Sequence, residues 1–410
     1  MRPFPAESLR TQFPALERAK GFLFFDNAAG AQVPRAVIEA IDDHFIARGV
    51  QRGGPYRQSR EVDAMIERAR ESVAILLNAP RASEIAFGMN ATSFIRAISL
   101  AIGHDLSERQ EIVVTELDHE ANIATWLALE RLGARIRWWR VRDDGLLYVE
   151  DLEPLVGQAT RIVACPLAAN STGTIVDVTR VSALARRAGA DTFVDAVHYG
   201  PHGPIDVQAL GCDYLVCSGY KIFGPHMGFA WCRTEAIARL QTFREEFIPD
   251  AMPWKLEAGT FVYENVAGMD AAIRYLESIG TALGGGSSRR AAVEQALTSI
   301  REYEQTLSAA LLEALAATPG ATVYGITNRG SLDGRVPTVC FTNRTMAPAA
   351  IADGLAAREI GVRSGHMYSP RIMTRLGTMP DGAVRVSLVH YNTGEEIAQF
   401  WEALGEVLAS

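Results

Sequence analysis

From about residue 21 to about residue 240, short β-branched or aromatic runs alternate with longer stretches whose apolar residues recur every three or four positions. That alternation marks a mostly parallel sheet covered by helices, the α/β class. The runs predict strands at 84–87, 111–115, 135–141, 161–165, 191–195, 213–217 and 227–232. Several are almost wholly apolar, as strands covered on both faces are, so the seven fit one large sheet. Helical spacing over 62–78, 121–132 and 178–187 supplies its covers. At 284–288 the run Gly-Gly-Gly-Ser-Ser reads as a flexible connector. Beyond it, a long helix over 291–317, strands at 321–326, 337–342 and 383–389, and helices at 348–358 and 395–408 predict a smaller C-terminal α+β domain. The expected division is an N-terminal segment, 1–20, packing with the small domain, a large domain, 21–283, and the small domain, 284–410.

Composition narrows the partners. The chain of 410 residues has 40 basic against 48 acidic residues, a formal charge of −8, with no basic block of the kind a phosphate backbone requires. Nucleic acid is therefore not an expected partner. No apolar stretch reaches the roughly 18 residues of a membrane span, and the first twenty residues carry Arg2, Glu7, Arg10, Glu17, Arg18 and Lys20, so a cytoplasmic protein is expected. The five cysteines, Cys165, Cys212, Cys217, Cys232 and Cys340, lie mostly in aliphatic runs without metal-ligand spacing, which argues against disulfides and structural metal.

Candidate chemistry gathers at predicted strand ends. Ser218-Gly-Tyr-Lys221 follows a strand directly, and in an open α/β sheet the carboxyl ends of strands face the ligand crevice. An amine there loses pKa and becomes nucleophilic, which suits a Schiff-base lysine; by itself Lys221 also reads as a surface lysine. The preceding strand ends in Asp195, a carboxylate that is costly at such depth unless paired with a cation. A protonated pyridine ring would be that cation, the protein's known contribution to pyridoxal phosphate chemistry; helix capping is the alternative. His119, after the strand at 111–115, could stack on an aromatic ring or could be structural. Asn170 could bond a phenolate oxygen or simply form a turn. The loop Gly88-Met-Asn-Ala-Thr92 opens a helix, where the backbone N–H groups around Ala91 and Thr92 can hold a phosphate.

Together, Phe25-Asp-Asn-Ala-Ala29, Asp118-His119-Glu-Ala-Asn-Ile123, Asn170-Ser-Thr-Gly-Thr174, Asp195-Ala-Val-His198, Ser218-Gly-Tyr-Lys221, Glu257-Ala-Gly-Thr260 and Tyr391-Asn-Thr393 resemble a known family. It is the class V aminotransferase family of fold type I pyridoxal-phosphate enzymes, in the group of cysteine desulfurases and isopenicillin N epimerase-like proteins. The resemblance implies that 21–283 binds pyridoxal 5'-phosphate, that Lys221 carries it, that Asp195 pairs with its ring nitrogen and that His119 stacks on the ring. It implies that His198 and Asn170 reach the phenolic oxygen, and that Thr92, Ser218 and Tyr220 hold the phosphate. Thr260 would come from the neighbouring subunit of a homodimer.

Arg363 and Arg385 suit bidentate capture of an amino-acid carboxylate; a snorkelling surface arginine is the alternative for each. Desulfurases of the related type carry a persulfide-forming cysteine in the loop after the first of these arginines, where this chain has Tyr368. A phenol cannot form a persulfide. Tyr220 likewise stands where such enzymes usually have histidine. The expected activity is carbon–sulfur β-elimination from a cysteine-derived amino acid. Transamination, epimerisation and decarboxylative deamination use the same residues, and a catalytically silent sulfur carrier or scaffold is the rival from another class.

Overall fold

The computed structural model describes residues 4–19, 21–106 and 108–410. The seven-stranded sheet runs in the order Ile85–Gly88, Gly228–Cys232, Tyr214–Ser218, Asp191–Asp195, Thr160–Pro166, Glu111–Thr115, Arg135–Trp139. Gly228–Cys232 is antiparallel to both its neighbours, and the remaining pairs are parallel. All seven predicted runs are strands of this sheet. The expected strand at 135–141 stops at Trp139. It is an edge, and its outward Arg135 and Arg137 discourage pairing with another chain.

Alternate strand residues feed two cores, which is why the central runs are apolar throughout. Val113, Val163, Val194 and Leu215 pack with the helices Arg57–Leu77 and Tyr263–Ala282, while Ile112, Ile162, Phe193 and Val216 pack with Ala91–Gly103 and Trp126. Gly228 leaves room for the start of Ala91–Gly103, since a Cβ there would stand 2.3 Å from the Asn90 carbonyl carbon.

A four-stranded antiparallel sheet forms the smaller C-terminal domain, ordered Arg363–Gly365, Ala383–Ser387, Thr338–Asn343, Ala321–Tyr324 and covered by Pro348–Ala356 and Gly394–Ala409. The strand Arg363–Gly365 and the helices Arg35–Arg48 and Tyr263–Ala282 were not predicted. The glycine run lies outside any element, as expected, and forms a tight turn between two packed helices, Tyr263–Ala282 and Arg289–Ala316. Gly280 lies so close to the second helix that a Cβ would stand 1.7 Å from the Ala292 carbonyl oxygen.

Of the N-terminal segment, residues 1–3 and 20 lie outside the described residues. Phe4 stacks on Tyr303 at 4.8 Å, and Arg10 pairs with Glu396 at 2.7 Å. Phe13 is fully buried in an aromatic cluster with Phe223, Tyr275, His390 and Tyr391. Phe223, two residues past Lys221, holds a left-handed backbone (φ 58°) that a bulky residue adopts only when its surroundings hold it there. Here the cluster does so, with the His390 ring centroid 4.6 Å away.

Candidate functional site

The carboxyl ends of the parallel strands open on a cavity of about 480 Å³, a size suited to a small molecule. Its walls include Ala91, Thr92, His119, Asn170, Asp195 and His198. Ser218, Tyr220, Lys221, Arg363, Tyr368 and Arg385 complete the candidates gathered there. Thr260 is not among the lining residues; it is exposed, 3.5 Å from Gln51 Oε1. The segment before it is anchored by Glu257, whose buried carboxylate pairs with Arg70 at 2.7 Å and accepts from the Phe87 N–H at 2.9 Å.

Strand adjacency explains the convergence. Asp195 is in register with Pro166 on one side and Val216 on the other, so Asp195 and the Ser218–Lys221 turn leave the sheet side by side. Burial, with Arg385 nearby, lowers the Lys221 amine to about 7, and its Nζ donates to the Ala28 carbonyl. Burial raises Asp195 to about 6, opposed by the Val197 N–H at 2.9 Å and by Lys221. Asp118 is also raised, by burial and by the charge of Asp195. It accepts from the His119 N–H at 2.8 Å and from Asn122 Nδ2 at 2.7 Å, fixing the turn that presents His119. Burial, then Lys221, lowers His119 to about 4, so its ring is neutral. The Ala121 N–H donates to His119 Nδ1 at 3.0 Å, which leaves the ring proton on Nε2.

At the other end, Asn90 caps Ala91–Gly103 by accepting from the Ser93 N–H at 2.9 Å. The Ala91 and Thr92 N–H groups come before the first intrahelical acceptor, and the Thr92 and Ser218 side chains stand beside them in the wall. Tyr220 stacks on His226, centroids 5.1 Å apart, adding a second ring that the sequence reading had not selected. His198 is buried and neutral, its pKa lowered first by burial and then by His202, and its Nε2 has no protein partner. Asn170 is committed otherwise than expected: its Nδ2 donates to the Met367 carbonyl at 2.8 Å and its Oδ1 accepts from Ser369 at 2.9 Å. It thereby pins the loop that bears Tyr368, keeping one amide hydrogen for another acceptor.

That loop is strained, with Met367 (φ 49°) and Tyr368 (φ 59°) both left-handed. The Tyr368 carbonyl accepts from the Glu120 N–H at 2.8 Å, and its exposed ring lies 5.7 Å from His119.

The arginines bring in a residue to which the sequence reading gave no role. Arg363 and Arg385 stand opposite each other across an antiparallel pair, an arrangement in which like charges repel. Asp26 answers both. Arg363 donates to its carboxylate from Nε at 3.0 Å and Nη2 at 2.6 Å, and Arg385 from Nη2 at 3.1 Å. The only local signal was an acid directly after the apolar run ending at Phe25.

Together these groups match pyridoxal 5'-phosphate in their chemistry: an amine about half unprotonated at pH 7 for the aldehyde, a buried carboxylate for the ring nitrogen, a histidine nitrogen awaiting a partner, and a helix start with hydroxyls for the phosphate. Among the described residues no cluster of potential metal ligands and no membrane-length apolar helix is found.

Comparison with known proteins agrees. The family profile described as "Aminotransferase class-V" matches residues 23–400. The aminotransferase-like protein FGM3 of Gibberella zeae is 36% identical over 416 residues, covering 99% of each chain. A probable cysteine desulfurase of Halalkalibacterium halodurans is 31% identical over 411 residues, covering 96% of this chain and 95% of its own. Among solved structures, a cysteine desulfurase of Thermococcus onnurineus superposes with a TM-score of 0.89 at 27% identity, covering 100% of this chain and 99% of its own.

Proposed function

The chain belongs to the class V aminotransferase family and is a pyridoxal-phosphate-dependent enzyme; on that premise we propose that it is a carbon–sulfur β-lyase acting on a cysteine-derived amino acid. The observation that carries this reading is the absence of a usable thiol. All five cysteines are buried, none lines the cavity, and burial raises the pKa of each. Tyr368 lines the cavity, and by the resemblance it stands where related desulfurases place their sulfur acceptor. Sulfur then leaves as a thiolate with whatever substituent it carries.

The cofactor's part is to delocalise the electron pair left at the substrate's Cα. Arg385 and Arg363 hold the substrate carboxylate. Lys221, about half unprotonated at pH 7, takes the Cα proton, and Asp195 would hold the positive charge of the ring nitrogen when the cofactor is bound. His119 would offer the bound ring a neutral imidazole. The Cβ–S bond breaks with its electrons on sulfur, and water then releases pyruvate and ammonium from the unsaturated product.

With S-phenyl-L-cysteine, the holoenzyme should release one thiol and one pyruvate per turnover. With cysteine and no reductant, intact-mass measurement should show no added sulfur on the protein. Alanine in place of pyruvate, together with a sulfur adduct, would make it a desulfurase. Alanine and pyruvate both absent, with amino-group exchange instead, would favour the transaminase reading that the name of the Gibberella relative suggests.

Residues from two chains complete each site in this reading. It accords with Thr260 lying outside its own cavity and with the exposed Ile38, Phe45 and Ile46 on Arg35–Arg48. The protein should sediment as a dimer, and Thr260→Ala should weaken cofactor retention about tenfold, the scale of one hydrogen bond to a charged group. A monomer with full activity contradicts this. A cytoplasmic location, where thiols stay reduced, accords with five unpaired cysteines.

A further inference from the structure

We propose that Asp26 sets the charge at the carboxylate-binding end of the cavity, so that the enzyme selects amino acids whose only anionic group is the α-carboxylate. This rests on the reading of Arg363 and Arg385 as the carboxylate clamp, and it makes the sulfur substituent of the substrate an uncharged group.

Asp26 is fixed by the backbone. It forms a parallel bridge with Ser387, whose N–H donates to the Phe25 carbonyl at 2.8 Å, so the loop cannot withdraw without opening the small sheet's edge. Asp26 is not among the residues that line the cavity, whereas Arg363 and Arg385 are, and its carboxylate pairs with both guanidinium groups. Arg385 is 3% exposed, donates from Nη1 to the Asn170 carbonyl at 2.9 Å, and keeps a buried Nε without a partner. Two guanidinium groups and one carboxylate sum to one positive charge. The nearest lining cation, Lys221, is half neutral near pH 7. Outside the lining residues, Arg371 is matched by Glu120 at 3.0 Å and adds no net charge.

One bound carboxylate completes this balance. A second would be desolvated against no free counter-charge, at a cost that removes its binding. Without Asp26, the same two arginines would present two charges and accept a dicarboxylate.

Calorimetric titration of the holoenzyme with propionate and with succinate tests this, because neither has an amino group or a leaving sulfur. The result therefore stays readable even if no elimination is found. Wild type should bind propionate at least as tightly as succinate. Asp26→Asn should shift that preference toward succinate by about tenfold, the effect of one added unit charge close by. Asp26→Glu, which keeps the charge, should behave as wild type. Tighter binding of succinate by the wild type overturns the proposal, whether or not the asparagine variant folds. So does an unchanged preference in Asp26→Asn.

Discussion

Lys221→Ala protein should fold with an unchanged far-ultraviolet spectrum, lack the yellow absorbance of lysine-bound cofactor and lose at least about 1,000-fold in turnover. The residue is almost enclosed by the cavity wall, and among the described residues no second lysine lines it to substitute for its amine. The same amine makes a pH prediction for wild type. With its pKa lowered to about 7 by burial and by Arg385, the reactive unprotonated fraction grows as pH rises through neutrality. Cofactor uptake by cofactor-free protein should therefore accelerate roughly tenfold between pH 6 and pH 8 and then level off. A rate that keeps climbing to pH 10 would show a lysine in its ordinary aqueous state. Retained turnover in the alanine variant would take Lys221 out of the mechanism.

Asp195→Asn should still fold and still bind cofactor, but lose about 100-fold or more in kcat. The carboxylate is 7% exposed and is raised to about 6 by that burial, a state maintained against its desolvation cost. A bound pyridinium cation repays that cost and is in turn kept protonated. An amide keeps the hydrogen bond from the Val197 N–H but supplies no charge. The measurement is kcat beside cofactor affinity: a large fall in the first with a small change in the second is expected. Near-normal turnover would show that the ring nitrogen needs no anion here.

The large sheet was legible because its strands are buried on both faces and announce themselves locally, as at 160–166 and 191–195. So was the convergence of Lys221, Asp195 and His119, since each sits at or a few residues past the end of such a strand. Arg35–Arg48 escaped because Ile38, Phe45 and Ile46 lie outside the face that carries Val37 and His44, which blurs the helical period. Tyr263–Ala282 escaped because Gly268 and Gly280 read as breakers, whereas both glycines admit close neighbours, Ile41 at the first and Ala292 at the second. The Asp26 link to Arg363 and Arg385 had no local signature beyond an acid at the end of an apolar run. It joins residues more than 330 positions apart, and only the pairing of the small sheet brings them together. Asn170 was placed correctly in the wall, but a turn sequence does not reveal that its amide would serve the Tyr368 loop.

The aromatic cluster around Phe223 gives the molecule an order of completion during its synthesis. The loop bearing Lys221 is packed by Phe13 from near the start of the chain and by His390 and Tyr391 from near its end. A ribosome adds on the order of 5–20 residues per second, so the lysine emerges many seconds before Tyr391 does. During that interval the backbone at Phe223 has no enclosure to hold its left-handed turn, and the amine stands in water as an ordinary protonated lysine. Chains not yet extended to Tyr391 should therefore fail to capture the cofactor, and loading waits until the segments carrying Phe13, Phe223, His390 and Tyr391 have closed on one another.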